Sequence, residues 1–95
     1  MPRVIYKGVV IAESDKTIVI EGNHYFPPDA IKREYFQPNS MHTTCAWKGV
    51  ASYYDIVVNG DVEQGAAWYY PEPSKAASQI KDYVAFYRNK VEIET

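Results

Sequence analysis

Apolar residues fall in short runs separated by turn residues, and within the runs they alternate or stand in unbroken blocks, a pattern of strands more than of amphipathic helices. Residues 3–12 and 17–21 are rich in Val and Ile with Ser14-Asp15-Lys16 between them, which predicts two or three short strands, Gly8 dividing the first stretch. Glu21-Gly22-Asn23-His24 has turn chemistry, because Gly and Asn tolerate positive φ. His24-Tyr25-Phe26 resumes an extended segment that Pro27-Pro28 stops. Asp29 is placed to cap a short helix over Ala30 to Phe36, its carboxylate accepting from the free amides of the first turn. Pro38 and Asn39-Ser40 then end that helix and open a polar loop.

The strongest local signal is Asn59-Gly60 between two apolar runs, a pair suited to a type I′ hairpin because both central residues need positive φ. A two-residue loop places Val57 opposite Val62, Tyr53 opposite Ala66, Ala51 opposite Trp68 and Tyr54 opposite Gly65. One face then carries Ala51, Tyr53, Val57, Val62, Ala66 and Trp68; the other carries Val50, Tyr54, Ile56, Val58, Ala67 and Tyr69. Two apolar faces imply a pair sandwiched by other layers, a dimer surface or an apolar ligand wall. Gly65 marks a candidate bulge. Pro71-Glu72-Pro73 ends the hairpin, and Ser74 is a candidate N-cap for a helix beginning Lys75-Ala76-Ala77. Residues 83–94 fit either a helix extension or two strands, and a short helix followed by two strands is the favoured reading. The expectation is a mainly β fold: one domain over residues 1–95, a small antiparallel sheet or sandwich with one or two short helices.

Composition narrows the function classes. At 95 residues there is no room for a cleft between two lobes, and the net charge is 10 − 12 = −2 with basic residues dispersed. Nucleic acid is therefore not an expected partner, nor is a membrane, since no long apolar run and no export signal is found; a cytoplasmic protein is the default. Cys45 is the sole cysteine, which excludes an internal disulfide and a thiolate-rich zinc site; His24 and His42 add too few ligands, so no metal or other cofactor is expected. Nine Tyr, three Phe and two Trp are a surplus that calls for a location.

His42-Thr43-Thr44-Cys45-Ala46-Trp47-Lys48-Gly49 gathers a base, two hydroxyls, a thiol, an indole and an amine. The hairpin register sets Lys48 level with Pro71, so this segment meets the sheet end where Trp68-Tyr69-Tyr70 finishes. Cys45 reads as a nucleophile with His42 as base and Thr43 and Thr44 as oxyanion donors, or as an inert buried thiol. Lys48 reads as a contact for a phosphate or carboxylate, or as a solvated rim lysine; Arg33 and Arg88 are further cations to consider near an anionic ligand. Trp47 and Trp68 offer faces for a planar or cationic ligand, or fill the core. Asp55, the single charge in an apolar run, is a buried acid or a bulge or edge residue. No common nucleotide, zinc-protease or serine-hydrolase signature occurs.

The stretches HTTCAWKGVASYYDIV, GAAWYYPEP and IKDYVAFYRNKVEI, together with Tyr25-Phe26-Pro27, resemble the domain-of-unknown-function 427 family over nearly the whole chain. The resemblance implies a mainly β, β-tent-like domain, a fold whose relatives often use zinc and aromatic cages, and it brings a nucleotidyltransferase-like label for which these residues show no signature. Family members usually have Pro where Ala46 stands. The leading expectation is a small-molecule-binding module with an aromatic pocket of Trp47, Tyr54, Trp68 and Tyr70 and polar contacts from His42, Thr44 and Lys48. The alternatives are a small enzyme using Cys45 and His42, the nucleotidyltransferase activity of the label, and a homodimer through the aromatic surface.

Overall fold

The computed structural model describes residues 1–95 and is built from three antiparallel sheets. Strands β1 (Arg3–Tyr6) and β2 (Val9–Glu13) form a hairpin, and β9 (Glu92–Glu94) pairs with the other side of β1. Strands β3 (Ile18–Ile20) and β4 (Asn23–Tyr25) form a second hairpin. The largest sheet runs in the order β5 (Phe36–Cys45), β6 (Gly49–Val58), β7 (Asp61–Tyr69) and β8 (Val84–Phe86). The fold is mainly β, and its helical content is confined to short 3-10 turns.

The Asn59-Gly60 turn forms as its residues require, with φ of 49° and 85°, and Val57 faces Val62. Beyond Ile56 the register departs from expectation: Tyr54 pairs with Ala67, Tyr53 with Trp68 and Ser52 with Tyr69. Three β7 residues, Gln64, Gly65 and Ala66, therefore stand against the single residue Asp55. Gly65 has φ of 59°, and Asp55 Oδ1 accepts from the Gly65 amide at 2.8 Å and from Asn39 Nδ2 at 2.7 Å. Asp55 is thus the side chain that closes the bulge. The slip is an even number of residues, so it changes partners without turning side chains over.

Two further expectations are corrected. The helix over Ala30 to Phe36 is replaced by two 3-10 turns, Pro28–Ala30 and Arg33–Tyr35, and Asp29 makes no cap hydrogen bond. Ile31 between them is extended and buried, bridging to Ala12, while the Lys32 amide donates to Ile11 O at 2.8 Å; burying that apolar side chain against β2 outweighs a marginal helix. The polar loop after Phe36 is the ten-residue strand β5. Its edge position tolerates Pro38, and a bulge at Ser40-Met41 interrupts its pairing with β6. Ser74 stands at the start of the 3-10 segment Lys75–Ile80 but does not cap it, and residues 83–94 hold β8 and β9.

Alternation along β6 and β7 feeds two cores. Tyr54, Ile56, Val58, Ala67 and Tyr69 pack with Val4, Ile11, Phe26, Phe36 and Phe86. Ala51, Tyr53, Trp68 and Tyr70 pack with Tyr25, Ala77, Ile80 and Ala85. Both faces of the hairpin are covered along these stretches, so its apolar character belongs to a sandwiched layer, while Val50 and Val62 remain exposed.

Candidate functional site

Cys45 pairs with Gly49, leaving Ala46, Trp47 and Lys48 as the tip between β5 and β6. Gly49 has φ of 115°, and a Cβ there would lie 3.3 Å from Glu72 O, so the chain through Pro71 to Ser74 crosses close against it. The Ser74 amide donates to Lys48 O at 2.9 Å and Ser74 Oγ donates to Trp47 O at 2.5 Å. This strap accounts for the unused cap: the Ser74 hydroxyl holds the tip instead of the helix start.

The tip turns Lys48 inward. It is the one charged residue in the buried set, its side chain 7% exposed, while its ion-pair partner Glu21 is 52% exposed at the β3–β4 turn. Lys48 Nζ lies 5.2 Å from the Trp47 ring centroid and 5.7 Å from that of Tyr70, an ammonium between two aromatic rings. Trp47 Nε1 also donates to Glu21 Oε2 at 3.4 Å. Burial pulls the Lys48 ammonium down, but the hydrogen bond to Glu21 and the nearby Tyr25, Tyr70 and Cys45 outweigh it and hold its pKa above the usual lysine value. The Lys48 and Trp47 hydrogen bonds hold Glu21 below the usual carboxylate range. Burial pushes the Tyr70 phenol up to about 12, against the opposing charge of Lys48.

Behind Lys48 lies a polar seam in the second core. Thr43 Oγ1 is 2.8 Å from Tyr53 OH, which is 3.1 Å from Tyr87 OH, and Trp68 Nε1 donates to Tyr25 OH at 3.2 Å. Burial and the Tyr53 hydrogen bond push Tyr87 up to about 12. Tyr87 also packs on Trp68 with ring centroids 4.6 Å apart. These contacts fix the aromatic side chains and leave no buried polar side-chain atom without a partner.

The sequence-derived site separates into two sides of one strand. Thr43 reaches the inner side through Tyr53, and half-buried Cys45, two residues on, packs there beside the second core. His42 and Thr44 alternate to the outer side and are exposed. His42 and Cys45 are about 10 Å apart along the strand at ~3.4 Å per residue and on opposite faces, so the structure does not bring them together as base and nucleophile. His42 Nδ1 instead lies 3.3 Å from Ala51 O and 3.4 Å from Ser52 Oγ. Nor do Trp47, Tyr54, Trp68 and Tyr70 line one pocket. Trp68 and Tyr70 are core, Trp47 is 41% exposed, and Tyr54 lies on the far side of the sheet, stacked on Tyr69 at 4.6 Å and edge-on to Phe36 at 5.6 Å. Arg88 is drawn to the β3–β4 turn, donating to Gly22 O, and Arg33 lies exposed in its short turn. Glu21 and Tyr25 belong to the Lys48 surroundings and Tyr53 and Tyr87 to the seam of the second core, and none of these four was expected at the site; Glu21 and Lys48 are 27 positions apart, and only the tertiary fold joins them.

The outer side carries a depression of about 470 Å³. His42, Val50 and Ser52 form one wall and Pro71 to Ser74 the other, with mainly carbon surface facing the space. No three His, Cys, Asp or Glu side chains converge as a metal-binding group, and no helix is long and apolar enough to cross a membrane. No curated protein matches the chain. A match of the family's sequence profile to residues 2–95, over essentially the whole length in which this strand pair and its strap are formed, shows that the chain belongs to the family described as Domain of unknown function (DUF427).

Proposed function

We propose that this domain binds a small molecule in the depression between the outer face of β5–β6 and the Pro71–Ser74 strap. The observation that carries the reading is the depression itself: its volume of about 470 Å³ lies within the range of ligand pockets, and its mainly carbon wall carries the polar groups of His42, Ser52, Glu72 and Ser74. Val50 is 49% exposed on that wall, an apolar side chain left for a partner to cover. The two prolines stiffen the opposite wall, which lowers the ordering cost of binding. The fitting ligand has a flat apolar body and a donor group for the Glu72 carboxylate. A chemical role for Cys45 with His42 gains no support from side chains on opposite faces of β5, so binding leads over catalysis.

The test is a titration of the ¹⁵N-labelled protein with a set of ring-bearing fragments. Saturable shifts are expected at Val50, Ser52, Glu72 and Ser74, and Val50→Glu should remove them by placing a charge on the apolar wall. Shifts that persist in Val50→Glu, or a set in which no fragment perturbs these amides, refute the reading.

A further inference from the structure

Two turns meet at the end of the first sheet. Lys7-Gly8, between β1 and β2, has positive φ at both residues, 50° and 79°, and Arg88-Asn89-Lys90 leads from β8 towards β9. Together they enclose an open depression of about 420 Å³ whose lining is mostly polar, unlike the apolar space beside Val50. Lys7, Arg88 and Lys90 bring three positive charges and Glu92 one negative, a local sum of +2 on a chain whose net charge is −2. The cations are differently held. Arg88 is anchored by one N–H donated to Gly22 O and keeps its other donors, Lys90 leans to Glu63 at 3.6 Å, and Lys7 Nζ lies 5.8 Å from the Tyr6 ring centroid. The second turn is closed by the Lys90 and Val91 amides, both donating to Tyr87 O, which leaves the Arg88 and Asn89 amides unused in closing it.

We infer that this depression binds a dianionic oxyanion, the phosphate group of a small phosphate monoester, through Lys7, Arg88 and Lys90. The sign of the charge matches: a phosphate monoester carries about −1.5 to −2 at neutral pH, and the lining sums to +2, or +1 with the Glu63 carboxylate that pairs with Lys90. The donor chemistry suits an oxyanion as well: the Arg88 guanidinium spends one N–H on Gly22 O and keeps others, and the flexible Lys7 and Lys90 ammonium groups can close from the sides. A phosphate fills only part of the space, and the remainder, walled by Asn89 and the Gly8 backbone, suits the polar body of a sugar-sized ester. Glu63 and Glu92 oppose the anion, so each acts as a brake on affinity.

The probes are inorganic phosphate and ribose 5-phosphate, titrated into ¹⁵N-labelled protein at ionic strength held constant with sodium chloride. Saturable shifts are expected at Gly8, Arg88, Asn89 and Lys90 with both, and the ratio of their affinities tells whether the site uses free phosphate or the ester body. Lys7→Gln should weaken binding about two- to fivefold, the upper part of the range for one exposed charge contact, and Glu92→Gln should tighten it by a similar factor. Arg88→Gln should weaken it further; its thermal melt separates lost binding from a loosened β3–β4 turn. Shifts that do not saturate, equal shifts from chloride alone, or unchanged Kd values in both Lys7→Gln and Glu92→Gln overturn the inference.

Discussion

Replacing Lys48 by methionine and by alanine separates the two things this residue supplies, an apolar stem and a charge. The side chain is 7% exposed, so alanine removes three buried methylenes with the ammonium, worth about 2 to 3 kcal/mol at ~0.8 kcal/mol each, before any cavity term. Methionine keeps nearly the same volume and removes only the charge. That loss has opposing parts: the Trp47 and Tyr70 ring contacts and the Glu21 ion pair disappear, while an ammonium no longer has to be desolvated. Glu21 is half exposed and is rehydrated when its partner leaves, so no buried charge is stranded. Lys48→Met should therefore stay within about 1 kcal/mol of the wild type, and Lys48→Ala should fall about 2 to 3 kcal/mol below Lys48→Met. For a domain of this size that gap is about 10 to 20 °C in Tm. Urea unfolding followed by tryptophan fluorescence and far-ultraviolet circular dichroism measures it. Equal destabilisation by the two variants would refute the reasoning and assign the site's stability to the charge instead of the stem.

Other outcomes follow from the same structure. Asp55→Ala removes the acceptor shared by the Gly65 amide and Asn39 Nδ2 and should cost about 2 to 4 kcal/mol in urea melts, at about 1.5 to 3 for each charge-assisted bond less partial rehydration; a loss under about 0.5 kcal/mol would show that the bulge holds without it. Tyr70 and Tyr87 have folded pKa values near 12 against an ordinary 10.0, so the native state holds their protons more tightly than the unfolded chain. The stability they contribute is fully present below pH 10 and is lost as pH rises from 10 towards 12. Phenolate absorbance of the wild type minus that of Tyr70→Phe or of Tyr87→Phe should place each phenol's ionisation well above pH 10 in the folded protein, and a difference signal centred near pH 10 without unfolding would contradict this.

The parts of the fold legible from sequence are those where local chemistry and burial agree. Asn59-Gly60 needs left-handed backbone and stands between continuous apolar runs, so both levels specify the same hairpin. Val84–Phe86 and Glu92–Glu94 are strands for a similar reason, β-rich runs parted by Arg88-Asn89-Lys90. Strand β5 was illegible because its residues are mostly polar and exposed and include a proline, leaving no alternation to detect; its pairing partner defines it. The register slip at Asp55 escaped because a turn sets register only until the first bulge, though Gly65 marked the place. The alternation that put Tyr53 and Trp68 on one face and Tyr54 and Tyr69 on the other was readable, and applying it to the aromatic site would have excluded Tyr54. Lys48 gave no sign of burial, because its partner Glu21 comes from a distant hairpin.

The pairing of β1 with β9 brings Arg3 beside Glu94, residues 91 apart in sequence. Contacts of that span are costly in loop entropy until the intervening strands are in place, which makes this seam a late event in folding and sets the pace below that of local hairpins. Once formed, it turns an open chain into a topological ring, with the segments near each end held by the same ladder. Pulling the molecule from its two ends would shear or unzip that one ladder before any load reached the Lys48 cluster, so mechanical resistance rests on a few backbone hydrogen bonds and one exposed ion pair.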